Sequence, residues 1–331
     1  MSEPGPPLLD RRLLFVTGKG GVGKTSVAAA IAHLAASSGR RTLVCEMDDK
    51  GALADAFDIA ALRFEPRAVE PNLYAMAMNT EDSLREYLRL FVRIPLLGRI
   101  GPLARTFDFV ADAAPGVKEI LGVGKLCHEV RERTYDLVVV DAEATGHIVA
   151  QLGAPKVISN LVQVGLVRDQ TGWMLDILQD PVTTGVVVVT TPEEMPVTET
   201  LELVGALERE TGVAASAVVA NRVQHALFDD RQCAVFERLG TVDNNATVEA
   251  MLVDAAGRAV RTVMEAARIT ERRAEVGAGH LERLRDGLPA GLDTIVVPEL
   301  YTRASGRRVV TLVAEALADQ IGDSARDRSR G

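Results

Sequence analysis

Short apolar runs alternate with longer amphipathic segments along this chain, and their order predicts the fold. LLFVTG (13–18), YDLVVVD (135–141) and TGVVVVTTP (184–192) are dominated by apolar residues, which is typical of strands covered on both faces of a parallel sheet. Four further runs predict strands, namely TLVCEM (42–47), NLYAMAM (72–78), SAVVANRV (216–223) and TIVVP (294–298).

The segments between these runs have helical periodicity. Helices are predicted at about 24–38, 157–178, 196–211 and 304–320, with residues 226–286 mostly helical and interrupted near GTVDNNAT. Strands that alternate with helices predict an α/β fold with a mostly parallel, doubly wound sheet.

Residues 80–133 contain no strand pattern and are broken by Pro95, Pro102 and Pro115, so we interpret them as a helical insertion. The predicted organisation is a flexible N-terminus (1–11), a single domain (12–322) that carries the insertion, and a flexible tail (323–331).

Composition excludes several classes of protein. The 331 residues are 47% hydrophobic and 25% charged, with a net charge of −9, which argues against broad capture of nucleic acid. The three cysteines are far apart and odd in number, which favours reduced thiols, and none has the spacing of a zinc site. No apolar run reaches the length of a membrane span, and the first residues lack the apolar stretch of a signal peptide. We therefore expect a cytoplasmic protein.

The stretch VTGKGGVGKTS (16–26) carries the clearest chemistry. It fits the phosphate-loop pattern G-x-x-x-x-G-K-[ST] and lies between a predicted strand and a predicted helix. In such a loop the backbone N–H groups and the helix N-terminus bind the phosphates of a nucleotide. The expected nucleotide-binding residues are Gly18, Lys19, Gly20, Gly21, Val22, Gly23, Lys24, Thr25 and Ser26. Lys24 is expected to reach the β- and γ-phosphates, and the Thr25 hydroxyl to hold Mg²⁺. The alternative is a glycine-rich turn without a ligand.

Lys19 is the second lysine in this loop, in a chain with only six lysines. The loop resembles the deviant phosphate loop KGGxGKT of the family that contains the nitrogenase iron protein, the ParA and MinD partitioning ATPases, and the arsenical-pump and tail-anchored-protein-targeting ATPases. The resemblance implies a P-loop NTPase fold and a dimer in which Lys19 crosses the interface to the partner's nucleotide. A second cation there would stabilise the charge that develops in phosphoryl transfer.

Two strand-end stretches resemble the switch regions of the arsenical-pump and targeting ATPases. CEMDDKGALADAFDI (45–59) is similar to switch I, which implies that Asp48 orients or deprotonates the attacking water. VVVDAEATGHI (138–148) is similar to switch II, which implies that Asp141 contacts Mg²⁺ through water. Both stretches depart from the family pattern, most clearly at Glu143, which would repel the γ-phosphate unless it points away or meets a cation.

Weaker matches follow in the expected order. TTPEEMPVTETLEL (190–203) resembles a family segment, and VVANRV and VVPEL place Asn221 and Pro298 as the expected adenine contacts. The resemblance spans about residues 12–320. The cysteines that form a zinc or arsenite site in some relatives are not present in this chain.

The sequence leaves the partner open. Apolar residues and arginines interleave over 86–110, which is compatible with a groove for a hydrophobic protein cargo or with an ordinary helical cap. The first hypothesis is a Mg²⁺·ATP-dependent dimer, either a homodimer or a heterodimer with a related ATPase, that acts on a cargo or a membrane-protein partner. The second is a weakly hydrolysing subunit that pairs with an active relative. A ParA/MinD-type partitioning ATPase is the third.

Overall fold

The computed structural model describes residues 7–47, 50–87, 117–161, 166–241, 246–257 and 259–328. In these ranges eight strands form one sheet in the order β3-β4-β2-β5-β1-β6-β7-β8. Their bounds are β1 Leu13–Gly18, β2 Thr42–Glu46, β3 Arg67–Glu70, β4 Leu73–Ala77, β5 Leu137–Ala144, β6 Thr184–Thr190, β7 Ala215–Val223 and β8 Asp293–Pro298. All neighbours are parallel except the β3–β4 pair at one edge. The predicted α/β, mostly parallel sheet is confirmed.

Helices cover both faces of the sheet. Within the described residues they are α1 Lys24–Ser37, α2 Ala52–Ala56, α3 Thr80–Tyr87, α4 Val117–Glu132, α5 Thr145–Leu161, α6 Leu166–Gln179, α7 Glu194–Ala206, α8 Asp230–Thr241, α9 Ala246–Ala256, α10 Val260–Gly287 and α11 Arg307–Arg328. A single π-helical turn, Leu207–Thr211, continues α7.

The two faces of β1 show how the sheet is doubly wound. Leu14 and Val16 belong to a core shared with α1 and α11, whereas Leu13 and Phe15 belong to a core shared with α4, α5, α6 and α7. This alternation follows from the period of two along a strand. Because both faces are buried, the central strands are apolar throughout, which is the pattern seen in the sequence.

Several boundaries differ from the sequence prediction. The helix predicted at 157–178 is two helices, α5 and α6, and the first begins at Thr145 directly after β5. The short helix α2 and the edge strand β3 were not predicted. The last helix continues to Arg328, past the predicted end near 320 and into the tail expected to be flexible.

The two ends of the predicted insertion are described, whereas residues 88–116 lie outside the described residues. The helices on either side, α3 and α4, are joined by Lys125, whose Nζ lies 2.9 Å from Glu86 Oε1 and 2.7 Å from Glu129 Oε1. Burial acts to lower the pKa of Lys125, but the hydrogen bonds to Glu129 and Glu86 outweigh it and raise that pKa above its ordinary value.

The N-terminal segment, expected to be loose, contributes to the core near its end. Leu8–Asp10 form one 3₁₀ turn and Leu8 is buried. No helix in the described ranges is long and apolar enough to cross a membrane.

Candidate functional site

The glycine-rich loop lies at the carboxyl end of the central strand β1, between β5 and β6. Gly18 ends β1 in close contact with β6, since a Cβ at this position would lie 2.1 Å from Val189 O. Val22 is buried and anchors the middle of the loop. Gly23 precedes α1 with φ 94°, a left-handed conformation that favours glycine. The loop thus turns back so that α1 begins at Lys24, with its N-terminal N–H groups at the same edge of the sheet.

Asn221, at the end of β7, braces this loop. Its buried side chain donates a hydrogen bond from Nδ2 to Val22 O at 2.8 Å. A Cβ on Gly23 would lie 2.4 Å from the same Nδ2, so residue 23 has no room for a side chain. Sequence reasoning expected Asn221 at adenine. The structure shows its Nδ2 bound to the loop itself, a contact between residues 199 positions apart, and the adenine contact stays a prediction.

Thr25 and Asp141 meet below the loop. The Thr25 hydroxyl donates to Asp141 Oδ2 at 2.6 Å, and Asp141 is buried at 6% exposure near the end of β5. A hydroxyl and a carboxylate at this separation offer the hard oxygen donors that Mg²⁺ prefers, directly or through water. The residues present therefore fit a magnesium ion held between the nucleotide and Asp141.

The two loop lysines have different contacts. Lys24 Nζ donates to Lys19 O at 3.4 Å, which places it inside the curl of the loop. Lys19 Nζ instead forms an ion pair with Glu199 Oε1 of α7. Glu199 Oε2 accepts a hydrogen bond of 3.4 Å from Thr145 Oγ1, the first residue of α5. Sequence reasoning missed Glu199, and its place in the ET match of TTPEEMPVTETLEL was the only signal.

The structure describes the switch I stretch except for residues 48 and 49. Asp48, the expected catalytic residue, lies outside the described residues. Before it, Glu46 ends β2 and its buried carboxylate accepts hydrogen bonds from Ala52 N at 2.9 Å and Leu53 N at 3.4 Å. These bonds fix α2 to the sheet edge by capping its first N–H groups. Glu46 was not identified from the sequence.

Glu143, the main departure in switch II, has two local contacts. Its main-chain oxygen accepts a hydrogen bond from the Thr17 hydroxyl at 2.8 Å. Its carboxylate lies 3.5 Å from Nδ1 of His147, one turn along the chain. The side chain of Glu143 therefore has an imidazole within ion-pair distance.

A cleft of about 710 Å³ opens at the carboxyl ends of β6, β7 and β8, where β6 is the neighbour of β1, although no residue of the loop lines it. Asn221 and Pro298 lie at this edge, where Pro298 is in register with Val223. Their sequence neighbours Arg222 and Glu299 line the cleft, together with Thr191–Glu193 and one side of α10. The cleft has the size and position expected for the adenosine part of a nucleotide.

Comparison with known proteins identifies the family. The sequence model of the anion-transporting ATPases matches residues 11–175 and 167–251. The chain is 31% identical over 312 residues to the ATPase BagA of Mycobacterium tuberculosis, an alignment that covers 88% of this chain and 90% of that protein. The chain therefore belongs to the anion-transporting ATPase family, as the loop and switch motifs predicted.

Two further relatives carry more specific names. A putative arsenical pump-driving ATPase of Halobacterium salinarum is 28% identical over 280 residues, which cover 76% of this chain and 42% of that protein. ATPase ASNA1 homolog 1 of Paramecium tetraurelia is 32% identical over 159 residues, which cover 46% of this chain and 45% of that protein.

Proposed function

We propose that this protein is a Mg²⁺·ATP-dependent ATPase that works as a dimer and couples ATP binding and hydrolysis to movement of its switch regions. The observation that carries the proposal is the contact of Thr25 with Asp141 below a glycine loop that opens onto the N-terminus of α1. Ligands that span this loop and the neighbouring cleft would bind as nucleoside triphosphates do.

The loop supplies the binding chemistry. Its N–H groups and the positive end of the α1 dipole stabilise the phosphates, and Lys24 adds a cation from within the loop. Thr25 and Asp141 would hold Mg²⁺, which neutralises charge on the phosphate oxygens. Asp48 would position the attacking water. Lys19 would act on the nucleotide of the partner subunit, and Pro298 with Asn221 would border the base.

The closing of a dimer around two nucleotides would carry the signal outward. The switch I stretch contains α2, and the switch II stretch contains the start of α5, so a shift at the γ-phosphate would move helices on either side of the sheet. The protein would act in the cytoplasm. Its conformational change would act on a hydrophobic protein cargo or on a membrane-protein partner. A weakly hydrolysing subunit paired with a related ATPase remains the second candidate, because both switch stretches depart from the family pattern.

The central test measures ATP binding and phosphate release separately. The wild type should bind Mg²⁺·ATP and release phosphate. Asp48→Asn should retain binding and lose at least tenfold in turnover, which corresponds to about 1.4 kcal/mol of barrier. Lys24→Ala should lose binding, and exposed Lys156→Ala is the matched control.

The outcomes separate the two candidates. If the purified wild-type protein binds ATP without releasing phosphate, and a related ATPase restores the release, the paired-subunit hypothesis is favoured. Failure of the wild type to bind Mg²⁺·ATP would refute both. Light scattering with and without ATP tests the dimer.

A further inference from the structure

The ion pair between Lys19 and Glu199 gives the early loop lysine a partner within its own chain. Glu199 lies on α7, which follows β6, and its second oxygen accepts from Thr145 at the start of α5. One carboxylate therefore joins the nucleotide loop, the helix after β6 and the helix after switch II.

We propose that Glu199 is a positioning residue that holds Lys19 in its own subunit until a partner's nucleotide displaces it, so that the ion pair restrains dimer closure. This inference rests on the proposed trans role of Lys19. The amine of Lys19 must leave the Glu199 carboxylate of its own subunit before it can reach across the dimer interface.

The strength of the pair suits such an exchange. The side chains of Lys19 and Glu199 are 32% and 28% exposed, so solvent and salt weaken their attraction. A terminal phosphate carries more negative charge than a carboxylate and binds an amine through several oxygens. Lys19 therefore leaves Glu199 when a partner presents a triphosphate, and returns when the phosphate has gone.

Release of Lys19 also changes the surroundings of switch II. While the pair is formed, the negative charge of Glu199 is shared between the amine of Lys19 and the hydroxyl of Thr145. After release, Glu199 keeps its hydrogen bond from the Thr145 hydroxyl. The contact between α7 and α5 then strengthens as the dimer closes, which links the lysine to the helix that follows Asp141.

The first experiment tests the pair itself in nucleotide-free protein. The six lysines of the chain can be followed separately by mass spectrometry during brief acylation, with exposed Lys156 as the internal reference. Glu199→Gln should speed acylation of Lys19 by about fivefold, which corresponds to about 1 kcal/mol for an exposed pair. Glu202→Gln removes the same charge from an exposed position on the same helix and should leave that rate unchanged.

The second experiment tests the restraint by titrating Mg²⁺·ATP and following dimer formation by light scattering. The Glu199→Gln variant should form its dimer at an ATP concentration severalfold lower than the wild type does. This difference in ATP midpoint should shrink at 1 M salt. Lys19→Ala lacks both the pair and the trans contact, so adding Glu199→Gln to it should neither restore dimer formation nor lower the ATP concentration required for any dimer that remains, whereas a shift as large as in the wild-type background would contradict the restraint. Binding of ATP by the monomer, measured with a fluorescent analogue, should not change.

The results distinguish failure of this inference from failure of the proposed function. Unchanged acylation of Lys19 in Glu199→Gln would overturn the ion pair. Faster acylation with an unchanged or higher ATP midpoint would overturn the restraint while leaving the ATP-dependent dimer intact. A wild type that binds ATP but never dimerises would overturn the trans role and the restraint together, even if the acylation result showed the pair.

Discussion

Replacement of Asn221 tests whether this residue braces the nucleotide loop or reads the base. In Asn221→Ala the carbonyl of Val22 loses its hydrogen bond from Nδ2, a contact of 2.8 Å inside a buried site. An acceptor left unsatisfied in such a place costs about 1–3 kcal/mol. The expected result is a lower unfolding midpoint in urea, together with weaker ATP binding, because the loop is no longer held in its binding conformation.

Asn221→Asp sharpens the test. The carboxylate has nearly the same shape but cannot donate, so it would place a negative oxygen against Val22 O. We expect Asn221→Asp to be less stable than Asn221→Ala. Exposed Asn160 on α5 is the matched control, and Asn160→Ala should change neither property. Trp173 is the only tryptophan and lies on α6, so its fluorescence reports unfolding without touching the site.

Comparison of nucleotides separates the two roles. A brace acts through the phosphates, so Asn221→Ala should weaken ATP, GTP and tripolyphosphate binding by similar factors. A base contact acts on adenine, so its loss should weaken ATP selectively and leave tripolyphosphate unchanged. Selective loss of ATP binding at an unaltered urea midpoint would refute the reasoning from the structure.

Three further predictions concern the loop, the insertion and switch II. Gly18→Ala should lower the free energy of unfolding by about 3 kcal/mol in urea titration, because the new Cβ would meet the main-chain oxygen of Val189, which cannot rotate away. Lys125→Met should lower the free energy of unfolding by about 3 kcal/mol at pH 7, since it leaves the carboxylates of Glu86 and Glu129 without their cation. Because folding raises the pKa of Lys125, the difference in stability between wild type and variant should persist below pH 10.5 and shrink as the pH rises further. His147→Ala should weaken ATP binding severalfold in isothermal titration, because it leaves the Glu143 carboxylate without the imidazole that lies 3.5 Å away. Glu143→Ala removes that carboxylate and should not weaken binding, so equal effects of the two substitutions would contradict this reasoning.

The sequence predicted the parallel strands well because each is buried on both faces and therefore apolar throughout. The prediction for β1 matches its observed bounds, and that for β7 begins one residue late. The edge strand β3 was not predicted because its sequence, RAVE, is short and contains no fully buried residue, so it lacks an apolar pattern. The sequence predicted α5 and α6 as parts of one helix because apolar residues continue between Leu161 and Leu166.

In the candidate site, the features that are local in sequence could be predicted and the long-range contacts could not. The motif from Gly18 to Ser26 is local, so the pattern alone predicts that it joins the end of β1 to the start of α1. The partners of that loop are not local: Asn221 and Glu199 reach it from strands and helices about 180 to 200 residues away. Nothing in a linear pattern joins such positions, because the contact exists only once β1, β6 and β7 are side by side.

The altered switch II stretch illustrates how the folded chain changes a judgement made from sequence. A glutamate beside the γ-phosphate would repel that phosphate unless it points away or meets a cation, which argues against fast hydrolysis more than against nucleotide binding. In the structure β5 continues to Ala144, which pairs with Gly18, and the Thr17 hydroxyl fixes the main chain of Glu143. His147 then follows one turn later on α5, within 3.5 Å of the carboxylate. The departure at 143 and the family-like histidine at 147 thus form one local pair, so the substitution alone is a weak argument against ATP hydrolysis.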